Sequence, residues 1–306
     1  MKVLVTGVNG QLGHDLMNLL AAEGVCALGA DITPAYGGIA DGSAVTGMPY
    51  EPLDITDRDA VMRVTEAFGP DRVVHCAAWT RVDDAEEHAE ACRRVNAFGT
   101  RYVAEACRAA GAVMIYVSTD YVFGGGGEAP RDPDSSAFAP LNVYGETKLE
   151  GERAVRELVT NYYIVRTSWV FGLSGANFVR TMLRLGRTRQ ELQVVCDQIG
   201  SPTYSRDLAV LLTEMLRSDR YGVYHAANSG GYISWYDFAR EILAQAGSEA
   251  RVLPVTTSEY GAARAARPAN SRMDTSKLQK NGFRPLPHWK DALGRYLKEL
   301  KDCCHE

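Results

Sequence analysis

Short apolar runs alternate along this chain with longer segments of helical periodicity. Val3-Leu4-Val5-Thr6 is apolar and compact, which predicts a buried strand. Leu12, Leu16, Leu19 and Leu20 then recur at helical spacing, and Gly24 marks the stop. Val25 to Ala30 is the next apolar run, closed by Asp31. A polar stretch with Gly and Pro follows to about Pro49 and reads as a surface loop. Tyr50 to Leu53 predicts a short strand, Asp57 to Phe68 a helix halted by Gly69-Pro70, and Arg72 to Cys76 a strand. Val82 to Ala110 predicts one long helix, acidic at its start and basic towards its end, as the helix dipole favours. Val113 to Ser118 and Tyr162 to Thr167 predict two further strands, with a helix running to about Leu158 between them.

Strands alternating with helices predict an α/β fold, a doubly wound parallel sheet covered on both faces. Ligands bind such sheets at the carboxyl ends of the strands. Gly7, Asp31, Asp54, Ala77, Thr119 and Thr167 all fall at such ends. Beyond Gly172 the rhythm loosens. Helices are expected over Asn177–Gly186, Arg206–Arg217, Ser234–Ala246 and Trp289–Leu300, with short strands at Gln193–Val195 and Gly222–Ala226.

The first unit carries a chemical signal. Gly7-x-x-Gly10-x-x-Gly13 links the first strand to the first helix, and Asp31 ends the second strand. This is the context of a dinucleotide fingerprint. Glycines there let backbone N–H groups approach a pyrophosphate seated on the helix N-terminus. Small residues at Ala77-Ala78 would let a cofactor lie against the backbone. Asp31 can accept bonds from ribose hydroxyls and would repel a 2′-phosphate. No Lys or Arg occurs between Lys2 and Arg58, so NADH is expected over NADPH. A Gly-rich turn and a strand-end Asp also occur without ligands, which is the plainer alternative.

A second signal lies downstream. Tyr144 and Lys148 are four residues apart and project from one helix face. An ammonium beside a phenol is expected to lower the tyrosine pKa, and such a tyrosine exchanges a proton with a substrate oxygen. Ser118-Thr119 ends an apolar run upstream, as a hydroxyl partner would. Hydride plus proton is carbonyl–alcohol redox chemistry. The reading is therefore a Rossmann dinucleotide-binding domain over residues 1–172. Residues 173–306 form mainly a smaller mixed α/β substrate-binding portion, with some segments returning to the first domain.

Bulk properties narrow the class. A 46% hydrophobic content in 306 residues supports an ordinary globular core. Net charge is −5 without a basic block, so nucleic acid has no electrostatic footprint. No apolar stretch approaches membrane-spanning length, and no signal-peptide pattern opens the chain. Seven scattered cysteines argue against a disulfide framework and for a cytoplasmic location. Cys303-Cys304-His305 reads as a frayed tail rather than a metal site. Gly124 to Gly127 is either a turn or a lid.

The ordered runs Thr6–Gly13, Ala77–Asp83, Ser118–Phe123, Tyr144–Lys148, Arg166–Gly172, Asp197–Thr203 and Arg267–Ser271 resemble the extended short-chain dehydrogenase/reductases. More narrowly, they resemble the dTDP-4-dehydrorhamnose reductase family. The resemblance implies reduction of the C4 keto group of a nucleotide-linked 6-deoxy-4-ketosugar by NADH or NADPH. Thr119, Tyr144 and Lys148 would be catalytic, with Tyr144 the proton donor. Gly7, Asn9, Gly10, Gln11, Leu12, Gly13, Asp31, Asp54, Ile55, Ala77 and Ala78 fall on cofactor positions, as do Tyr144 and Lys148. Thr80, Val82, Thr119, Asp120, Tyr121 and Trp169 fall on sugar-contacting positions. Arg267 is implied as a diphosphate partner, with a surface ion pair the equal alternative. Asn96 matches a family asparagine that bonds near the cofactor or serves structure alone. Some members pair as homodimers around magnesium. Asp15 lies near an acidic position of that kind, but no complete ligand set is visible, so no metal is assigned.

Rival readings remain open at this point. A 4,6-dehydratase on the same fold needs a carboxylate after Asp120, where this chain has Tyr121. A nucleotide-sugar 4-epimerase is harder to separate. A non-catalytic regulatory subunit, resembling the methionine adenosyltransferase beta subunit, belongs to another class; the intact Thr119, Tyr144 and Lys148 favour an enzyme.

Overall fold

The computed structural model describes residues 1–37, 47–261 and 264–303. The expected loop after Asp31 lies partly outside the described residues, and Cys304 and His305 wholly so. Six strands come first in the chain: β1 (Lys2–Thr6), β2 (Cys26–Asp31), β3 (Tyr50–Pro52), β4 (Arg72–His75), β5 (Val113–Thr119) and β6 (Tyr162–Thr167). The strand Gly222–His225 joins them at one edge. The order across the sheet is Gly222–His225, β6, β5, β4, β1, β2, β3. All neighbours are parallel. The winding direction reverses between β1 and β4, which opens a crevice at the carboxyl ends.

Strand alternation builds two cores. Val3 and Val5 of β1, Ile115 of β5 and Val165 of β6 face one layer. There they meet Leu12, Leu16 and Leu20 of α1 (Gln11–Ala22) and Leu208, Leu212 and Met215 of the helix Ser205–Leu216. Leu4, Met114 and Ile164 face the other. Their partners there include Val61 of α2 (Arg58–Phe68), with Asp57 capping α2 through the Ala60 N–H at 3.0 Å. A third core of Phe171, Tyr204, Phe238, Trp289 and Tyr296 underlies the C-terminal portion. Glu191–Val195 there pairs in parallel with Arg251–Val255. The hydrophobic pattern does not predict that second strand, because Pro254 interrupts it; a two-stranded ladder tolerates the missing donor.

The single long helix expected over Val82–Ala110 is broken. It divides into α3 (Val82–Glu87), α4 (Ala89–Arg93), a π-helical turn over Arg94–Gly99, and α5 (Thr100–Ala110). Asn96 sits within the π turn and is fully buried. Its side chain accepts from the Trp79 N–H at 2.8 Å and donates to the Trp79 carbonyl at 3.1 Å. The widened turn accommodates an inward amide that periodicity alone cannot reveal. Among the described residues no helix is long and apolar enough to cross a membrane.

The helix α6 (Val143–Leu158) carries Tyr144 and Lys148. Asn142 caps it by accepting from the Gly145 N–H at 2.8 Å, and its amide donates to the Ala266 carbonyl at 2.8 Å. Further along, Glu152 is fully buried against Arg166 of β6. Arg166 Nε and Nη2 donate to the two carboxylate oxygens at 2.8 and 2.7 Å, and Ser118 Oγ donates to Oε1 at 2.7 Å. Arg166→Met would strand a buried carboxylate, so a loss of roughly 3–5 kcal/mol is expected in urea denaturation. Glu152→Met together with Arg166→Met should lose less than the single change; equal losses would show that the pair is not coupled.

Candidate active site

One cavity of about 930 Å³ opens at the carboxyl ends of β1 to β6. Its wall includes every proposed cofactor and substrate residue from Gly7 through Arg267. The glycine turn forms one part. Gly7 has φ +78°, and a Cβ there would lie 2.5 Å from the Ala77 nitrogen. A Cβ at Gly13 would lie 2.2 Å from the Gly7 carbonyl oxygen. Side chains at either position would close the approach between turn and strand. The α1 N-terminus begins at Gly10 with no side-chain cap and no acidic residue in its first turn. Its first N–H groups therefore suit an anion. The residues present fit a nicotinamide dinucleotide.

Asp31 lies on the same wall. Its Oδ2 accepts from the Asn9 N–H at 2.9 Å and its Oδ1 from the Ile32 N–H at 2.8 Å. Asp54 ties its own loop by accepting from Thr56 N and Oγ1, each at 2.8 Å. Arg58, the first cation after Lys2, is paired with Glu105 at 2.7 Å.

Thr119, Asp120, Tyr144 and Lys148 form the reacting group candidates. Thr119 Oγ1 donates to Asp120 Oδ1 at 3.0 Å and accepts from the Tyr121 N–H at 3.2 Å. The Tyr144 and Tyr121 rings meet edge to face at 5.8 Å. Tyr144 keeps some surface towards the cavity, yet burial dominates its ionisation. The expected lowering of its pKa is reversed. Burial pushes it well above the ordinary phenol value, only partly opposed by the Thr119 hydroxyl. The physical reason is where the ammonium goes: Lys148 Nζ donates to the Val117 carbonyl at 2.7 Å and lies 4.1 Å from the Tyr116 ring centroid. Asp120 is also raised, to about 6, chiefly by burial. Its Oδ2 has no partner in hydrogen-bonding geometry, although the Ser271 hydroxyl is close enough to pull the pKa partly back.

Arg267 is ion-paired, as one of the two earlier alternatives had it. It lines the cavity, and its Nη1 and Nη2 donate to the two oxygens of Asp83 at 3.1 and 2.7 Å. That fork holds Asp83 at about 2. Trp169 lines the cavity as well and stacks on Trp235, which with Phe178 also forms the wall. Motif spacing missed Phe178 and Trp235, since neither belongs to a recognisable run. The Gly124–Gly127 run lies outside the wall, and its Gly125 carbonyl accepts from the Asn270 N–H at 3.0 Å. Asp15 is buried away from the wall and accepts from Ser205 Oγ, and burial raises it to about 6. Among the described residues no three His, Cys, Asp or Glu side chains are grouped to hold a metal.

Fold and site together define an extended short-chain dehydrogenase/reductase. The family model described as the RmlD substrate binding domain matches residues 1–302, and the chain belongs to that family. It is 42% identical over 297 residues to a dTDP-4-dehydrorhamnose reductase of Streptomyces griseus, covering 95% of this chain and 91% of the relative. It is 39% identical over 303 residues to the spore coat polysaccharide biosynthesis protein SpsK of Bacillus subtilis, covering 99% of each. Among solved structures it resembles the dTDP-4-dehydrorhamnose reductase of Bacillus anthracis in complex with NADP. That match has a TM-score of 0.88 and 41% identity, over 97% of this chain and 99% of the other.

Lys148 gives the site a testable electrostatic signature. Burial pushes its ammonium from 10.5 down to about 7, with Glu152 the leading opposing influence. Between those two values the unfolded chain binds a proton that the folded chain has released. Stability from this group therefore rises with pH across that window, by at most about 1.4 kcal/mol per pH unit. The difference in unfolding free energy between wild type and Lys148→Met should rise between about pH 7 and 9. A flat difference in urea titrations would show that the lysine keeps its ordinary value.

Proposed function

We propose that this protein reduces the C4 keto group of a nucleotide-linked 6-deoxy-4-ketosugar to an alcohol. The substrate pair best supported by the relatives' names is dTDP-4-dehydro-L-rhamnose and dTDP-L-rhamnose. The observation that carries this reading is the meeting of Thr119, Tyr144 and Lys148 with an uncapped, glycine-lined helix N-terminus in one cavity. Tyr121 after Asp120 speaks against dehydration, which needs a carboxylate there.

A bound nicotinamide cofactor supplies the hydride. Thr119 holds the C4 oxygen by turning its hydroxyl proton to it from Asp120 Oδ1. Tyr144 is the acid. Its raised pKa keeps the phenol protonated at neutral pH, and as negative charge develops on the C4 oxygen the phenol O–H donates to it. One C–H and one O–H bond form, and the phenolate left behind regains its proton from water. Lys148, placed one turn along α6, orients the nicotinamide ribose and stabilises the transient phenolate. Asp120, Tyr121, Thr80, Val82 and Trp169 contact the sugar, and Arg267 meets its diphosphate. The segments from residue 173 onward that frame the cavity serve as the substrate-binding portion.

The direct test is oxidation of reduced cofactor with a panel of nucleotide 4-ketosugars, with product stereochemistry read by NMR. No turnover with any of them would defeat the proposal. Tyr144→Phe should lower kcat at least about 100-fold while leaving cofactor affinity nearly unchanged. Near-normal turnover in a folded variant would remove Tyr144 from the role.

Cofactor choice follows from Asp31. A 2′-phosphate brought beside this carboxylate meets like charge, and Arg58 is already engaged by Glu105. Even about 1.4 kcal/mol of repulsion is tenfold in affinity. NADH should therefore exceed NADPH in kcat/KM by roughly tenfold or more, with NADPH still used. Asp31→Ser should narrow the ratio. Equal or higher kcat/KM with NADPH in wild type would reject this assignment.

A further inference from the structure

Trp169 is the one described residue other than glycine with a positive φ, at 49°. A bulky side chain in that region is strained and persists only where its surroundings over-determine it. Several contacts do so here. The Trp235 ring lies 3.7 Å from the Trp169 ring, centroid to centroid, at an interplanar angle of 14°. The Thr203 N–H donates to the Trp169 carbonyl at 3.2 Å. The adjacent Ser168 Oγ donates to the Ser201 carbonyl at 2.8 Å. Gly200 approaches so closely that a Cβ would sit 2.9 Å from the indole.

These contacts share one frame. Ile199–Gly200 pairs antiparallel with Ile233–Ser234. Ser234 then caps the helix Trp235–Ala246 with a full capping box, so Trp235 occupies its first turn. The same short ladder therefore sets both Gly200 and Trp235 against Trp169. Phe178 braces the far partner, with its ring 4.5 Å from that of Trp235. Core packing alone would not require strain at the cavity wall, yet Trp169, Phe178 and Trp235 all line it.

We infer that Trp235 and Gly200 clamp Trp169 in its left-handed conformation, so that Trp235 is a positioning residue for the nucleotide sugar and not for the dinucleotide. This rests on the function proposed above. The clamp links the C-terminal portion to the end of β6, and it presents one fixed indole to the substrate. Removing the stack frees Trp169 to relax, and the ordering it supplied must then come from the substrate's own binding energy.

The test compares Trp235→Leu, Trp235→Phe and Gly200→Ala with wild type in steady-state kinetics with the nucleotide 4-ketosugar. Trp235→Leu should raise KM for the sugar about three- to tenfold, the equivalent of ~0.65–1.4 kcal/mol. KM for reduced cofactor should stay unchanged and kcat should change little. Trp235→Phe should recover most of the loss. Gly200→Ala, which crowds the indole without touching Trp235, should raise the sugar KM in the same way. The exciton couplet of two stacked indoles in far-ultraviolet circular dichroism should be present in wild type and lost in both Trp235 variants. An unchanged sugar KM in Trp235→Leu, or in Gly200→Ala should the leucine variant not fold, overturns the clamp. So does an equal rise in both KM values, or a wild type without the couplet. An inactive wild type instead defeats the underlying function, which separates the two failures.

Discussion

The buried pair of Glu152 and Arg166 holds the geometry of the candidate site together. Both side chains are fully buried, where an unpaired charge is intolerable. Their mutual demand fixes α6 against β5 and β6 at one register. Ser118 donates to the same carboxylate, so the residue before Thr119 is locked to the helix that carries Lys148 one turn earlier and Tyr144 two turns earlier. The guanidinium is enclosed further by the Phe123 and Phe138 rings, by the Pro133 carbonyl and by His225 Nε2 on the edge strand. Burial and the nearby guanidinium hold His225 down at about 3, so its ring is neutral and can accept. A single ionic contact thus spans helix, three strands and a loop. Such a pair adds little net stability against an apolar replacement, but it admits only one arrangement of the elements around it.

The same burial sets the chemistry of Tyr144. A lysine four residues away suggests an activated phenolate, but a low-dielectric site penalises both charges. The phenol is driven up and the ammonium down, so each favours its neutral form. In its proposed role as an acid that stays protonated until charge appears on the substrate, Tyr144 benefits from this. In the proposed reaction the arriving hydride makes the C4 oxygen strongly basic, and proton transfer from even a reluctant phenol then becomes favourable. In the proposed reaction Lys148 acts most once that transfer has begun, when a phenolate adds its charge to that of Glu152.

Local sequence signals were enough for the sheet, because each central strand is a compact apolar run with helix-periodic residues beside it. They were also enough for the motif residues, since Gly7, Asp31, Thr119 and Tyr144 lie within a few positions of strand or helix ends. What escaped depends on contacts between distant segments. Nothing around Asn96 announces that its amide will bond the Trp79 backbone and widen the helix. Arg166 and Glu152 are ordinary charged residues until the fold places them against each other in the dry interior. Trp235 reads as one more aromatic in an amphipathic helix, and its part in the cavity follows from a two-residue ladder too short to carry a pattern.

The cavity wall is one place where the fold tolerates unfavourable local terms. Asp120 Oδ2 and Thr167 Oγ1 are buried there without a hydrogen-bond partner in the protein. A buried polar atom in that condition costs about 1–3 kcal/mol. Trp169 adds backbone strain at the same wall. Elsewhere the sheet faces are filled with branched aliphatic side chains at almost no exposure, as at Val3, Leu16, Ile115 and Val165. Those cores and the Glu152–Arg166 pair make the strand ends rigid enough to hold unpaired acceptors in place. A looser scaffold would let Asp120 turn to solvent and Trp169 relax, and the polar groups that a substrate must find already aimed would disperse. Rigidity in the layers behind the site therefore permits the incompleteness at its surface.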